Sequence, residues 1–505
     1  MGIFANPLTD LLEYEDFSRD FLKGTDPVGM TGCIDSEKVH FMSTFLGEKK
    51  VQLVVTYNEQ RAREIEEDYK LFCSQVYVIP PRDLIFFSAD LQGNAIIAER
   101  MKAFAALYQN EAKVIITTID ALMSAAVPFE QLMGHVIKLK EGDELDLEKL
   151  KHDLTVMGYE RVGRVEEPGQ FTVHGGIADV YPLTMEVPVR IELWGDEIDT
   201  IRCFEPQSQR SMDQIESVSV FPAAEVIADD TARRRAVGMI QNELESQLAV
   251  FKKVKEPDKA KRLREETNRI LEALGEEVVL EAPDSYISYF YPRTVRLSEY
   301  FDEKNTLVFL DEPMRLKERG DGVQAEFEES MKNRLEQGFL LPGQTALLTP
   351  AKHVLAAFER GQVAALSSLD SRLADFTVVN SYAVNVQNMN TYREGFELLI
   401  KDLTHWKKEK YRIVLLCPSR TRANRIVNQL IEYDLLAYYS EDEDKKINPG
   451  EIMVTYGNLH RGFLYPMLKF AVITESDIFG VKKKKKEKKS HYQGPVSYTH
   501  LRAHE

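Results

Sequence analysis

The stretch GMTGCIDS, which begins at Gly29, has part of the spacing of a phosphate-binding loop, G-x-x-x-x-G-K-[ST]. Such a loop aims backbone N–H groups at phosphate oxygens, places a lysine at the β- and γ-phosphates, and puts a hydroxyl on magnesium. Gly29, Gly32 and Ser36 fit this frame, but Ile34 takes the place of the second glycine and Asp35 that of the lysine. Because an anion beside a triphosphate opposes binding, the sequence predicts a nucleotide-binding loop that has lost its chemistry.

Two further features bear on this loop. Lys38 comes too late for the lysine position and on a helix would point to a different face, so we do not expect it to replace the missing cation. The apolar run TLVFLDEP ends in Asp311 and Glu312, the pattern in which one acid holds magnesium and the next orients water. Alone it is most often a plain strand end. Together with the altered loop it indicates a nucleotide-binding fold without nucleotide.

The remaining reactive residue types form no pattern typical of catalysis. His460, in HRGF, has no histidine, cysteine or aspartate at metal or nucleophile spacing. Cys33, Cys73, Cys203 and Cys417 lie far apart, which fits a reducing cytoplasm and argues against a zinc site or a disulfide framework. The sequence therefore predicts no catalytic residue and no metal site.

Charge limits the choice of partners. The chain has 505 residues and a net charge of −17, of which Lys482–Lys489 contributes +6 and residues 490–505 contribute zero, so residues 1–481 carry −23. An acidic body of this size does not bind nucleic acid through a diffuse field, so any DNA contact must be local. The lysine run is either a solvated linker, which we favour, or a nucleic-acid patch. No apolar run is long enough to span a membrane.

Hydrophobic patterns divide the chain into a multidomain α/β protein. Strands alternate with helices at first, then apolar and polar residues alternate as in antiparallel β-structure, a long charged helical region follows and ends at Gly275, and α/β patterns return. The predicted segments are 1–130 (α/β lobe, first part), 131–225 (β-rich domain), 226–390 (helical region and second part of the lobe), 391–480 (additional α/β domain), 481–495 (basic linker) and 496–505.

The last ten residues, VSYTHLRAHE, differ from everything before them. They resemble the translation of a common sequencing-library adapter, and we expect them to be an artefact of sequence assembly. The natural chain would then continue past about Gly494; the alternative is a natural tail.

The stretch GYERVGRVEEPGQFTVHGGIADVYPLTMEVPVRIELWGDEIDTIRCFEPQSQRS is the most distinctive part of the sequence. It resembles the N-terminal half of bacterial transcription-repair coupling factors and, more distantly, component B of the bacterial excision-repair nuclease. PPRDLIFFSADLQGNAIIAERM, TYGNLHRGF and KFAVITESDIFG agree with the same family in order. The resemblance implies a degenerate P-loop, helicase-like parallel sheet with an inserted antiparallel β-rich domain and a further C-terminal α/β domain.

The resemblance also implies a function. The full protein of this family binds RNA polymerase stalled at a DNA lesion, displaces it by ATP-driven translocation on double-stranded DNA, and recruits component A of the excision-repair nuclease. This chain would be the N-terminal scaffold that binds component A, with the polymerase-binding and translocase domains, and their ATP and magnesium, lying beyond it. It implies no cofactor here, no membrane, a bacterial cytoplasmic location, and no defined role for the domain at 391–480.

Contact residues for component A follow from the resemblance to component B. Arg161 in YER matches a basic position, His174 in VHG stands where the pattern has arginine, and Arg190 and Glu192 in VRIEL match an Arg and a Glu. Residues two apart share a strand face, where they can meet a charged partner. Thr172 replaces another arginine, so we expect one contact to be missing. From the sequence pattern alone, and without the resemblance, we would interpret Arg190 and Glu192 as a solvated charged pair.

Three other residues invite two interpretations. Trp194 would share the face of Glu192, and we expect it to pack in the core rather than at an interface. Arg420 and Arg422 in PSRTRANRI resemble a helicase segment in which arginines open a helix and bind phosphate, but we favour solvated first-turn arginines.

Functions of different class remain open at this point. The chain is a catalytically silent scaffold, which we favour, or an active ATP-dependent helicase, or a protein similar to component B that binds damaged DNA. Asp35 separates the first two, because a helicase needs a cation at that position. DNA binding by the lysine run alone is a further alternative.

Overall fold

The computed structural model describes residues 7–48, 50–82, 92–275, 283–370, 376–392, 395–442 and 445–480. The lysine run and the last ten residues, for which we expect a linker and an artefact, lie outside the described residues. Within these ranges no helix combines the length and apolarity needed to cross a membrane.

The first segment alternates strands and helices, as its pattern predicts. The apolar run VQLVVT forms a strand buried on both faces, and Asn58 caps the next helix by accepting a hydrogen bond from the Arg61 N–H. The elements are β1 Val28–Thr31, β2 Val51–Thr56, β3 Val76–Ile79, β4 Val114–Thr118 and β5 Ala125–Ala126, with α1 Leu12–Lys23, α2 Asp35–Ser43, α3 Glu59–Tyr69, α4 Gln92–Tyr108, α5 Ile119–Met123 and α6 Phe129–Met133, after a 3₁₀ turn at Leu8–Asp10.

The second segment is rich in short strands, and its inward-facing residues form their own core with the helix that precedes them. The elements are β6 Ile137–Lys140, α7 Leu147–Val156, β7 Glu160–Arg161, β8 Gln170–His174, β9 Ile177–Val180, β10 Val189–Trp194, β11 Glu197–Phe204, β12 Ser211–Gln214 and β13 Ser217–Val220. Six strands form a sheet in the order β12-β11-β10-β9-β8-β7, antiparallel except for the β7–β8 pair at its edge. β6 and β13, the first and last strands, pair with each other.

The third segment begins with two long helices that form an antiparallel hairpin. The charged helical region that the sequence predicts is broken at Val254–Glu256, and the second helix begins at Pro257, whose fixed φ suits a helix start. The elements are α8 Asp230–Lys253, α9 Pro257–Gly275, α10 Ile287–Phe290, β14 Val295–Arg296, β15 Thr306–Asp311, α11 Pro313–Glu336, α12 Ala351–Ala356, β16 Val363–Ser367, β17 Asn380–Ala383 and β18 Gln387–Asn388, with 3₁₀ turns at Pro283–Tyr286, Leu297–Tyr300 and Pro342–Thr345.

Strands from the first and third segments make one parallel sheet. Its order is β17-β1-β16-β15-β2-β4-β3, and each neighbouring pair is parallel. The β-rich segment is therefore an insertion between β4 and β15. The carboxyl ends of β1 and β15 meet at one edge, which brings the GMTGCIDS stretch and the two acids together.

The last segment forms a second, smaller sheet with helices on it. The elements are α13 Phe396–Lys408, β19 Arg412–Cys417, α14 Arg420–Glu432, β20 Ala437–Tyr439, β21 Ile452–Tyr456, β22 Phe463–Tyr465, β23 Phe470–Thr474 and α15 Glu475–Phe479. The sheet order is β18-β22-β23-β19-β21-β20. One face packs directly on the large lobe, because Phe463, Tyr465 and Val472 belong to the same apolar cluster as Val39 and Ile65.

The predicted fold class is confirmed. The chain is a multidomain α/β protein with a large parallel sheet and a separate, mainly antiparallel β-rich sheet inserted into it.

Candidate functional site

The loop after β1 is shorter than the phosphate-binding frame requires. Gly29 lies within β1, between Ala365 and Ser381 of the neighbouring strands, so only three residues separate the strand from α2. Gly32 has a φ of +83°, and a Cβ added there would lie 2.0 Å from the carbonyl oxygen of Val384. Gly32 therefore admits the chain's own backbone at the point where a phosphate would be cradled.

The donors of this loop are already engaged. The Cys33 N–H donates to the Ser367 carbonyl at 3.2 Å, and the Ile34 N–H donates to Glu37 Oε2 at 3.0 Å. The hydroxyl oxygen of Ser36, in the magnesium-ligand position of the motif, accepts a hydrogen bond of 3.0 Å from the backbone N–H of Arg461. Two amides and the hydroxyl thus bind other parts of the chain.

Lys38 contacts both acids at the end of β15, and our expectation that it points away from the site is wrong. Its Nζ lies 2.7 Å from Asp311 Oδ1 and 2.6 Å from Glu312 Oε1, and the side chain is 4% exposed. The error concerns the start of the helix: α2 begins at Asp35, so Lys38 lies one turn inside it and faces the sheet edge.

A second cation and a hydroxyl complete the cluster around Asp311. Arg61 Nε lies 3.4 Å from Asp311 Oδ2, and the Thr56 hydroxyl donates to the same oxygen at 2.9 Å. Burial alone would raise the pKa of Asp311, but attraction to Lys38 and Arg61, with the hydrogen bonds, lowers that pKa to about 2. The same contacts raise the pKa of Lys38 against the effect of its burial.

These residues do not fit a magnesium–nucleotide complex. The acid that would hold magnesium is neutralised by Lys38 and Arg61, and Glu312 accepts from Lys38 and, at 2.9 Å, from the Ser368 N–H. Asp35 stays at the loop, half exposed, with Arg461 Nε 3.5 Å from its Oδ2. Across the described ranges, no group of three or more His, Cys, Asp or Glu side chains has the arrangement of a metal site.

The last segment covers this edge of the lobe through buried polar contacts that the sequence did not indicate. Tyr465 donates its hydroxyl hydrogen to Glu37 Oε1 at 2.6 Å, and His40 Nδ1 lies 3.2 Å from the same hydroxyl. Burial raises the pKa of Glu37 to about 7, although its hydrogen bonds oppose the shift. His460, for which the sequence offered no partner, lies with Nδ1 3.2 Å from Asp68 Oδ1, and that hydrogen bond raises the pKa of His460.

Arg420 and Arg422 are both paired within their own segment. Arg420 makes two hydrogen bonds to Glu441, of 2.6 and 2.8 Å, and Arg422 bonds Glu475. Arg420 is a surface arginine, in line with the plainer of its two interpretations.

Most of the predicted contact residues lie on one face of the six-stranded sheet, the face that points away from α7, which we call the outer face. Register places Thr172, Asp179, Arg190 and Arg202 in one row across β8, β9, β10 and β11. The next row on the same face contains His174, Ile177, Glu192 and Thr200. His174, Arg190 and Glu192 are therefore neighbours on one face, although β8 and β10 are separated by β9.

Arg190 is held in a fixed position on this face. Its Nε and one terminal nitrogen each lie 2.7 Å from an oxygen of Asp179, and its guanidinium lies over the Phe204 ring, 4.7 Å from the centroid. The hydrogen bond to Asp179 raises the pKa of Arg190. Glu192 is half-buried, and the Thr200 hydroxyl donates to it at 3.4 Å. The face thus presents a fixed planar cation beside a carboxylate.

Arg161 does not lie in either of the two rows on the outer face. It is paired with Phe171, whose side chain is fully buried on the inner face, whereas Thr172 and His174 belong to the outer face. Arg161 is exposed at the edge of the sheet, on a strand of two residues.

Trp194 is 84% exposed, so our expectation that it packs in the core is wrong. Alternation places it on the face of Arg190 and Glu192, opposite to the face that packs on α7. Val165 is buried against Phe204 elsewhere on this face, but Trp194 remains exposed. Ile177 and Met212, on β9 and β12, are also exposed large apolar side chains of this sheet. The face therefore combines charges with apolar side chains, as protein interfaces do.

Sequence reasoning missed two residues of this face. Asp179, in GIADV, fixes Arg190, and Arg202, in EIDTIRC, lies directly opposite Arg190 on β11. The Nε of Arg202 is buried, and the described part of the chain gives it no hydrogen-bond partner. Alternation along β9 and β10 would have identified Asp179, whereas Arg202 reaches this face only through the irregular register after Glu192, which strict alternation through the hairpin does not predict.

Comparisons with known proteins agree with this architecture. A family model described as the UvrB interaction domain matches residues 137–225, the β-rich segment, and one described as the MFD D3 domain matches residues 405–478. The transcription-repair-coupling factor of Bacillus subtilis is 28% identical over 490 residues, which cover 96% of this chain and 41% of that protein. Those of Staphylococcus epidermidis and Staphylococcus haemolyticus are 27% and 28% identical over 97% and 93% of this chain.

The chain thus spans about two fifths of the length of these relatives, and the two domain matches fall in the segments where the motifs place them. The resemblance inferred from the sequence is confirmed: over nearly its whole length the chain is similar to bacterial transcription-repair-coupling factors, and the matches support an N-terminal half.

Proposed function

We propose that this chain is the non-catalytic docking part of a transcription-repair coupling protein, and that it binds component A of the excision-repair nuclease through the outer face of its six-stranded sheet. The observation that supports this most directly is the arrangement of that face. It combines the fixed guanidinium of Arg190, the neighbouring Glu192 and the exposed Trp194 within the segment matched by the UvrB interaction domain. An exposed tryptophan and a fixed arginine on one face are the residue types enriched in binding hot spots.

The pairing of Arg190 with Asp179 fits a binding role. The pair fixes the plane of the guanidinium before a partner arrives, so little side-chain entropy is lost on binding. One terminal nitrogen of Arg190 makes no bond to Asp179, and Arg202 lies directly opposite with its Nε unpaired among the described residues. Two adjacent guanidinium groups suit a partner surface with carboxylates.

The contacts at the sheet edge formed by the carboxyl ends of β1 and β15 support the proposal that this chain has no ATPase activity. Lys38 and Arg61 occupy the surroundings of Asp311, and the chain's own backbone fills the approach at Gly32. We propose that ATP, magnesium, double-stranded DNA and RNA polymerase are bound by other parts of the whole protein, which works in the bacterial cytoplasm by displacing stalled polymerase. Incubation of the chain with a fluorescent ATP analogue and magnesium should give no saturable binding.

The proposal is tested by titrating component A with the chain in a calorimeter. We expect Arg190→Ala and Trp194→Ala each to weaken binding by about tenfold or more, and Glu192→Ala to weaken it less, because arginine and tryptophan carry most interface energy. Lys149→Ala is the matched control, since Lys149 is an exposed charged residue on α7, on the other side of the domain.

Equal effects of Lys149→Ala and the sheet-face variants would contradict the proposed surface. No binding by the unaltered chain would contradict the docking function itself, and saturable ATP binding abolished by Asp311→Ala would favour the helicase alternative.

A further inference from the structure

The tip of the α8–α9 hairpin is strongly basic, although the protein as a whole is acidic. Between Lys252 and Arg264 the sequence has seven Lys or Arg and two Asp or Glu, in a chain of net charge −17. Lys252, Lys255, Lys261 and Arg264 are exposed. This segment lies in neither of the two matched family domains.

Most of these cations are not used by the fold. Lys261 forms one long ion pair, 3.8 Å from Glu265, and Lys252, Lys255 and Arg264 have no ion pair with any described residue. Lys252 is in the last turn of α8, where a cation complements the helix dipole. Lys261 and Arg264 lie in the N-terminal half of α9, where the dipole gives no such reason for a cation.

The exposed cations line a groove between the two helices. The groove has a volume of about 760 Å³. Leu248, Phe251, Lys252 and Lys255 line it from α8 and the turn, at the i, i+3, i+4, i+7 spacing of one helix face. From α9 it is lined by Pro257, Ala260, Lys261 and Arg264, at the same spacing.

The arrangement has an apolar floor and a charged rim. Phe251 is buried at the floor, Leu248 and Ala260 are half-buried, and Lys252 and Lys255 lie on one side with Lys261 and Arg264 on the other. Two antiparallel helices that leave such a groove offer a third helix the packing of a bundle. Apolar side chains of that helix would fill the floor, and acidic side chains beside them would meet the rim.

We propose that this groove between α8 and α9, here called the hairpin groove, binds an acidic amphipathic helix of a partner protein. The apolar floor favours this occupant over nucleic acid, because a phosphate backbone has no apolar groups to place on Phe251 and Leu248. Glu256 and Glu265 also line the groove, so the acidic side chains of the partner helix would have to face the cations of the rim rather than these two carboxylates. The proposal is independent of component A binding, which involves the other domain.

The test uses a fluorescein-labelled peptide of about 18 residues, roughly 27 Å of helix, with leucines at i, i+3, i+4 and i+7 and glutamates around them. Its binding to the chain is followed by fluorescence anisotropy, beside a shuffled peptide of the same composition and a DNA duplex of about 20 base pairs. Lys261→Glu/Arg264→Glu reverses two charges of the rim. Lys253→Glu/Lys332→Glu is the matched control, because both of its residues are exposed, line no part of the groove and change the net charge equally.

We expect the amphipathic peptide to bind at least about tenfold more tightly than the shuffled one. The rim variant should weaken that binding by about tenfold or more, and the control variant by less than about twofold. Equal binding of both peptides, or equal loss in both variants, would mean that only the general charge of the hairpin attracts the probe and would overturn the proposal. Tighter binding of the duplex, lost in the rim variant, would overturn it in favour of nucleic acid.

Discussion

Replacing Lys38 by methionine should destabilise the lobe more than any surface charge change of the same kind. Methionine keeps most of the apolar stem, so the substitution mainly removes the ammonium group that lies 2.7 Å from Asp311 and 2.6 Å from Glu312. Removing one partner of a buried ion pair leaves uncompensated charge and costs about 3–5 kcal/mol.

The surroundings place the expected loss at the lower end of that range. Asp311 would still have Arg61 and the Thr56 hydroxyl, and Glu312 is 17% exposed and keeps its bond from the Ser368 N–H. We therefore expect a loss of about 3 kcal/mol at pH 7. A surface pair, Lys70 with Glu66, lies on the same lobe at 2.8 Å, and Lys70→Met should change stability by less than about 1 kcal/mol.

The assay is native-state hydrogen exchange read by mass spectrometry in β2 and β15, because a protein of several domains does not unfold in one step. A loss of about 3 kcal/mol corresponds to roughly hundredfold faster exchange of these strands. The deficit should also depend on pH. The pKa of Asp311, about 2 in the unaltered chain against a usual 3.8, should rise once Lys38 is gone. The deficit is then complete at pH 7 and shrinks as the pH falls below about 4, where the carboxyl takes up a proton.

Exchange of β2 and β15 that is no faster in Lys38→Met than in Lys70→Met would refute the reasoning. It would mean that the cluster around Asp311 is loosely solvated and that the edge remains open to a metal ion. Asp311→Asn combined with Lys38→Met should recover part of the protection, because the substitution removes one of the two carboxylates that Lys38 neutralises.

Further predictions concern other residues. Burial raises the pKa of Glu37 to about 7 from a usual 4.5. The contact between the lobe and the last segment should therefore lose about 3 kcal/mol of stability as the pH rises from 4.5 through 7. Glu37→Gln should abolish this pH dependence, measured as the hydrogen exchange of β22. Gly32→Ala places a Cβ 2.0 Å from a backbone carbonyl at a φ of +83° and should lower stability by about 2 kcal/mol or more in thermal unfolding, whereas Gly47→Ala, with open space around it, should be nearly neutral. Acrylamide should quench Trp194, 84% exposed, far more than Trp406, 8% exposed, so Trp194→Phe should leave fluorescence that is largely protected.

The order of elements could be predicted from sequence because it depends on local patterns. The runs VQLVVT and TLVFLD are short, apolar and bounded by polar residues, which is the pattern of strands buried on both faces, and both are central strands of the sheet. The two-residue spacing of Arg190 and Glu192 correctly predicted a shared face, because strand periodicity is fixed by backbone geometry.

Contacts between distant segments could not be predicted in this way. The Lys38–Asp311 contact depends on where α2 begins and on how β1 and β15 align, and the sequence near Lys38 contains neither piece of information. For Trp194, alternation predicts the face correctly but not whether that face is covered. α7 packs on the opposite face of the sheet, and Trp194 is therefore left exposed.

The position of β1 inside the large sheet determines when it can fold during synthesis. Thr31 ends β1, whereas its two neighbouring strands begin at Val363 and Asn380. At roughly 5–20 residues per second, a ribosome needs roughly 15 to 65 s to cover that interval. The β-rich domain contains all the strands with which its own strands pair, so it can be complete within this time. A nascent chain therefore carries an unpaired apolar strand until at least Val363 has been made, and a ribosome that stops before Ala383 releases a protein whose first strand lacks a neighbour and is open to aggregation.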